Sequence, residues 1–331
     1  MTFTIKDIAV VILNWNGKPL LEQFLPSVTS YSDKASIYIV DNASSDDSIT
    51  FLKSNYPEVN IIQNTENEGY AKGYNEALKH IKEPLLCLLN SDIEVTKNWL
   101  APIVETYNSA KDTAIIQPKI LDQKQKSHFE YSGAAGGFID KYGYPFCRGR
   151  IFDTIEKDKG QYNDTCEIFW ASGACFFIKN AVFKSLNGFD ESYFAHMEEI
   201  DLCWRAYNTN HKTMYVGKST VYHVGGATLS NTSPRKTYLN FRNSLFTLVK
   251  NTDKNVLGRS LTRMALDGIA AIRFLTQFKP SHFLAILKAH GSFYLALPQL
   301  LKQRKNLKQL SNYYYRKSIV WNYFIKKQIK F

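Results

Sequence analysis

The chain has 331 residues, 44% hydrophobic and 21% charged with no low-complexity run, enough for one large or two modest domains around a buried core. That balance excludes a disordered polymer. The net charge of +11 is unevenly spread: residues 1–234 hold 22 Lys and Arg against 28 Asp and Glu, and residues 235–331 hold 19 against 2. An acidic body with a basic tail suggests a catalytic domain plus a segment attracted to something anionic.

The first residues, MTFTIKD, contain an acidic residue and run directly into an apolar stretch, so no signal peptide is expected. Cys87, Cys147, Cys166, Cys175 and Cys203 are odd in number and lack Cys-x-x-Cys spacing. Reduced cytosolic thiols fit this better than a disulfide frame or a zinc site.

In chain order, residues 7–14 form a first apolar strand ending in Asn14, Trp15, Asn16 and Gly17. A helix follows near Pro19, and residues 36–40 make a second strand that runs into Asp41 and a Ser/Asp-rich turn. A helix over 48–55 and a strand over 59–63 lead to Asn67, Gly69, Lys72 and Asn75 at the start of a further helix. The run LLCLL over 85–89 is too short for a helix and stops abruptly at Asn90, Ser91 and Asp92. Strands alternating with short helices predict βαβ units and a mainly parallel sheet. Its polar strand ends should converge on one edge, where open α/β sheets bind ligands. Each polar cluster taken alone is equally explained as a capped turn. A nicotinamide enzyme is disfavoured because the first strand is followed by NWNGKP rather than a glycine fingerprint, and there is no P-loop.

Four stretches together resemble the inverting family-2 glycosyltransferases, and within them the bacterial rhamnosyltransferase-like members: residues 11–17 (VILNWNG), 40–46 (VDNASSD), 67–75 (NEGYAKGYN) and 89–92 (LNSD). The resemblance implies an α/β, A-type glycosyltransferase fold: a Rossmann-like nucleotide-sugar-binding half over 1–118, an acceptor half over 119–234, a mixed central sheet, and a basic helical C-terminal region over 235–331. It implies that the first three loops hold the nucleotide, with Asn14, Asn16, Asp41, Asn67, Gly69, Lys72 and Asn75 on that side and Asp41 on the base. Asn90, Ser91 and Asp92 would form the metal-binding motif for Mn²⁺ or Mg²⁺. Asn90 stands where the strict motif has Asp, leaving Asp92 as the one carboxylate there.

Residues 112–117 predict another strand, and 118–165 read as a looser, Gly- and Tyr-rich region that could form a mobile cover. Arg148 and Arg150 within it are weighed as phosphate clamps against ordinary solvated arginines. From Trp170 a small-residue turn with Gly173 enters an apolar strand. Residues 187–205 (NGFDESYFAHMEEIDLCWR) resemble the family's second signature. A helix from about Glu198 puts Ile200, Cys203, Trp204 and Tyr207 on one face and Glu198, Asp201 and Arg205 on another, with Asp201 and Arg205 as an i,i+4 ion pair. Glu199 falls off both stripes, in the first turn, where the helix dipole favours an ionised base. Three acids at a helix start could equally be dipole complement. The resemblance aligns the catalytic base with Glu199, with Asp201 the second candidate. The commoner residue is Asp, so the carboxylate is displaced by roughly one bond length, about 1.5 Å.

Residues 213–216 and 220–226 predict two short strands. His223 lies 24 residues after Glu199 and, by the resemblance, completes the metal site, against the alternative of a satisfied core histidine. Gly225 and Gly226 follow it. Trp170, Gly173, Arg205 and Arg242 are candidates for acceptor or diphosphate contact, Arg242 lying on a helix expected from Pro234. No processive Gln-x-x-Arg-Trp run follows the base, which implies one sugar per encounter. The expected donor is a nucleoside-diphosphate sugar, UDP or dTDP, and the acceptor a glycan or lipid-linked glycan. The alternative is a non-catalytic sugar-nucleotide or glycan-binding module.

Segments 256–278 and 281–303 are apolar but interrupted by charge, too polar for membrane spans. They fit interfacial helices on the cytoplasmic face of a membrane, with Tyr313, Tyr314, Tyr315, Trp321 and Tyr323 in a headgroup zone. The alternative is a helical subdomain or homodimer face. Nucleic acid is not expected, since no zinc-finger, RNP or helix-turn-helix signature is present.

Overall fold

The computed structural model describes residues 2–225 and 233–331; Gly226 lies outside them. The first 90 residues alternate as expected: β1 (Ile8–Asn14), α1 (Lys18–Tyr31), β2 (Ser36–Asp41), α2 (Ser48–Asn55), β3 (Asn60–Gln63), α3 (Gly69–Leu78) and β4 (Leu85–Asn90). Ile8 to Val11 and Leu85 to Leu89 have no exposed surface, as strands covered by helices on both faces require. β1 pairs in parallel with β2 on one side and β4 on the other, and β2 with β3. Asn14 and Asp41 therefore end level with each other, and Leu13 is opposite Asn90.

After β5 (Ile93–Val95), α4 (Ala101–Ser109) and β6 (Thr113–Asp122), the chain does not form a loose cover. β7 (Gly137–Ile139), β8 (Pro145–Cys147), β9 (Arg150–Ile151) and β10 (Thr154–Ile155) make a small antiparallel sheet. Phe129, Ala134, Ala135, Phe146 and Cys147 of this region are buried, so the expectation of a mobile cover is corrected. Its Gly and Tyr content serves close packing: a Cβ on Gly137 would fall 2.1 Å from Trp170 Cε2.

β11 (Thr165–Ile168), β12 (Cys175–Lys179), α5 (Asn180–Ser185), α6 (Glu198–Asn208) and β13 (Lys212–His223) complete the body. The main sheet runs β11-β13-β6-β12-β4-β1-β2-β3, with β5 on β13. β12 lies antiparallel between β4 and β6, so residues from both expected halves share one sheet, and β6 itself spans position 118. β13 is one strand with a register shift between Val216 and Thr220, where two strands were expected. The C-terminal region is helical: α7 (Pro234–Asn251), α8 (Val256–Thr276) and α9 (Pro280–Lys305). Among the described residues no helix is long and apolar enough to cross a membrane.

Candidate active site

The first two loops are joined by the side chains expected on the nucleotide side. Asp41 is buried, accepting from Asn14 Nδ2 at 3.3 Å and from the Ser44 amide at 3.1 Å. Asn16 donates its backbone N–H to Ser44 Oγ and accepts from the Ser45 amide at 2.7 Å. In the third loop Asn67 accepts from Asn42 and from the Gly69 amide, while Asn42 accepts from Asn64. Asn42 and Asn64 carry no signal of their own beyond lying near the strand ends. Gly69 has φ +84°, and a Cβ there would fall 2.6 Å from Phe194 O, so no side chain fits where this loop meets the one before α6.

β5 returns antiparallel to the end of β13, pairing Ile93 with His223, and Val224 N donates to Asp92 O at 3.2 Å. Asp92 and His223 thereby face each other, Nε2 to Oδ1 at 3.2 Å, both nearly fully buried. On the other ring nitrogen, Nδ1 lies 3.3 Å from Oε1 of Glu130, a buried residue that sequence reasoning missed. Burial alone would lower the His223 pKa, but the charge of Glu130 and hydrogen bonding to Asp92 and Glu130 push it up to about 10. Among the described residues no three His, Cys, Asp or Glu converge as a complete metal cage. The Asp92 carboxylate and the His223 imidazole are donor types that a divalent ion such as Mn²⁺ or Mg²⁺ could take as two of its ligands. A carboxylate behind the imidazole is the usual way to orient a metal-binding histidine. The residues fit the ion.

Glu199 lies in the first turn of α6, entered through three residues in left-handed conformation: Phe194 (φ 64°), His196 (φ 69°) and Met197 (φ 74°). Such strain needs support. Asn243 on α7 supplies it, donating to the carbonyls of Tyr193, Ala195 and His196, and Tyr70 N donates to Phe194 O. Gly173 lies against Glu199, its would-be Cβ 3.7 Å from Cδ, and its carbonyl accepts from Tyr70 OH at 2.8 Å. The next residue, Ala174, accepts from the Asn90 backbone N–H, which places Glu199 beside the end of β4. Glu199 Oε2 is buried without a partner. Burial pushes the carboxyl up to about 7, against the pull of backbone amides at Glu199, Ile200, Gly173 and Met197. An acid near 7 with a free oxygen is suited to take a proton.

Several expected site residues are engaged by protein partners. Asp201 is fully buried, its oxygens taken by Arg205 Nε (2.8 Å), Asn251 (2.8 Å) and Lys250 Nζ (3.0 Å). Burial would raise it, but Lys250 and Arg205 hold it down to about 2, so it is corrected from a catalytic to a structural carboxylate. Arg205 spends its remaining nitrogens on the carbonyls of Leu186 and Gly188. Its side chain is also almost fully buried. Trp170 is buried under β7, donating to Phe138 O at 2.8 Å, and cannot meet an acceptor. Asn75 is bonded to both the N–H and C=O of Phe189, and Lys72 pairs with Glu68. Arg242 is turned to Ser192 O and Tyr193 O, bracing the loop before the base. Arg148 is taken up by a bidentate pair with Asp164 at 2.9 Å, and Arg150 is buried over the Tyr131 ring.

The chain is 24% identical to a low-salt glycan biosynthesis hexosyltransferase, Agl10, of Haloferax volcanii, over 72% of this chain and 74% of that one. It is 23% identical to an N-acetylglucosaminyl-diphospho-decaprenol L-rhamnosyltransferase of Mycobacterium tuberculosis, over 65% and 75%. In fold it is similar to a Pyrobaculum calidifontis mannosyltransferase solved with GDP-Man and Mn²⁺, with TM-score 0.56 and 12% identity over 90% of this chain and 84% of that one. That likeness identifies the A-type glycosyltransferase architecture. Residues 9–186, from β1 through the end of α5, match the model described as glycosyl transferase family 2, and the chain belongs to that family of glycosyltransferases.

Proposed function

We propose that the chain transfers one sugar per encounter, with inversion, from a UDP- or dTDP-sugar to a hydroxyl of a glycan or lipid-linked glycan in cell-surface polysaccharide synthesis. The observation that carries this is the unpartnered buried oxygen of Glu199, set beside Gly173 at the strand end where Asp92 and His223 face each other. Asp41, held by Asn14, accepts an N–H of the pyrimidine. Asp92 and His223 would hold Mn²⁺ or Mg²⁺, which when bound neutralises charge on the diphosphate leaving group. Glu199 removes the proton of the acceptor hydroxyl, whose oxygen attacks the anomeric carbon opposite the leaving group. A single base suffices because no covalent sugar–enzyme bond has to be cleaved. Asp201 and Arg205 position the base helix, and Arg242 and Asn243 its entry loop. The C-terminal region meets a membrane surface on its cytoplasmic face.

The test is release of nucleoside diphosphate from a panel of UDP-, dTDP- and GDP-sugars, with Mn²⁺ and after EDTA. Glu199→Gln should abolish transfer while donor binding, followed by calorimetry, is retained. A wild-type rate in Glu199→Gln would remove Glu199 as the base, and metal-independent turnover would remove the ion. No release from any donor would favour the non-catalytic binding module.

A further inference from the structure

The two long C-terminal helices present the reverse of the usual surface arrangement. On α8, Arg259, Arg263 and Asp267 are buried, Arg263 Nε lying 2.8 Å from Asp267 Oδ1, with Tyr144 OH donating to the same carboxylate at 2.8 Å. The residues on the solvent side are Leu257, Leu261, Ile269 and Ile272, 54% to 72% exposed. Their spacing spreads them over a sector of about 120° on one side of the helix. α9 repeats the pattern with Leu284, Leu287 and Leu295, the last 85% exposed, and Phe278 in the turn between the helices is 93% exposed. Gly268 and Gly291 lie within these rows with open space around them. Single exposed leucines are ordinary; two adjoining apolar rows joined at an exposed phenylalanine mark an interaction surface.

Charge identifies what covers it. Of the residues from 235 on, 19 are Lys or Arg and only Asp253 and Asp267 are acidic. Both are engaged internally, Asp253 with Arg259 and Asp267 with Arg263. The exposed polar residues of the hairpin and its flanks include Lys254, Arg273, Lys279, Lys288, Lys302 and Lys305. A second copy would bring one basic rim against another. An apolar face interspersed and flanked with basic residues and without an acidic side chain is complementary to an anionic bilayer.

We propose that the α8–α9 hairpin is a monotopic membrane anchor, its outer apolar rows lying at the boundary of headgroups and acyl chains with the lysines and arginines among the headgroups. This rests on the membrane-surface reading above and changes where the contact is made. Of the expected headgroup zone, Tyr313 is buried with its ring 4.4 Å from Trp204 and Tyr323 OH is 2.9 Å from Thr154 Oγ1, while Tyr315 and Trp321 are exposed and can flank the hairpin's contact. α7 packs along α9 on one side and on α6 on the other, so the anchor stands one helix away from the base. A lipid-linked acceptor in the same bilayer is thereby held at high effective concentration near Glu199.

The test is flotation of the full-length protein with vesicles of phosphatidylcholine alone and of phosphatidylcholine with phosphatidylglycerol. The wild type should float with the anionic vesicles and be released by added salt. The triple variant I269S/I272S/L295S alters only exposed side chains, and each change should weaken partitioning by roughly tenfold. Unchanged flotation of the triple variant overturns the proposal, as does failure of the wild type to float. If light scattering shows a wild-type dimer that the triple variant converts to monomer, the face is a homodimer contact and the proposal falls. Donor hydrolysis without vesicles separates this from the catalytic reading: a protein that turns over but never floats loses the anchor alone, and one that floats but never turns over loses the enzyme reading alone.

Discussion

Glu199 can accept a proton only while ionised, and its surroundings put that transition near neutrality rather than at the ordinary 4.5. With the transition at about 7, roughly a tenth of the carboxylate is ionised at pH 6 and roughly nine tenths at pH 8. The rate kcat/KM should therefore rise about tenfold per pH unit up to neutrality and then level off. Glu199→Gln should lose about 10²–10⁴-fold in kcat, the contribution of a positioned base. Glu199→Asp retracts the carboxylate by about 1.5 Å and should lose about 10²-fold, the cost of such a misplacement. The fold should lose some stability over the same range as Glu199 ionises. Glu199 has a raised value, so the stability it contributes is present below 4.5 and lost as pH rises through about 7. Asp201 has a lowered one, so its contribution is present above 3.8 and lost only as pH falls toward about 2. Initial rates of diphosphate release between pH 5 and 9, with circular dichroism at each pH, separate catalysis from unfolding. An acid limb near 4.5, or one that persists in Glu199→Gln, would refute the assignment.

Other residues carry their own expectations. Glu130→Gln should weaken Mn²⁺ binding in the presence of UDP by about 10–100-fold, measured by calorimetry, because His223 loses its orienting carboxylate; equal affinity would leave Glu130 without a role. Lys250→Met removes the cation shared by Asp190 (2.6 Å) and Asp201 (3.0 Å) and should cost about 3–5 kcal/mol in urea unfolding. A loss under about 1 kcal/mol would mean that the pair is relieved by water. Gly137→Ala would drive a methyl group into Trp170 and should cost about 1–3 kcal/mol, seen as a lowered Tm; an unchanged Tm would show that the indole yields.

Much of the nucleotide-side half is legible in the chain because its strands are buried on both faces. Runs such as residues 85–89 have no alternation to misread, and the polar residues that end them are confined to one sheet edge. Asp92, Glu199 and His223 are legible for a different reason, the order of four polar loops and a later acidic signature. Glu130 is not. It precedes His223 by 93 residues, in a stretch without periodicity, and the two meet only because β6 and β13 run side by side. Asp201 shows the opposite case. Its i,i+4 partner Arg205 is visible from spacing, but Lys250 and Asn251, which complete its capture, come from a helix about fifty residues on.

By itself the sequence determines the order of strands and helices, the polar loops that converge, the candidate base, and a basic, amphipathic C-terminal region. Only the tertiary structure decides which carboxylate is free and which is neutralised, since that depends on partners distant in the chain. It alone also decides the facing of α8. Amphipathic periodicity shows that a helix has two faces but not which one meets the protein. Here the body offers Tyr144 and the carbonyl of Gly143 to Arg263 and Asp267, so the charged face turns inward and the apolar row is left outside.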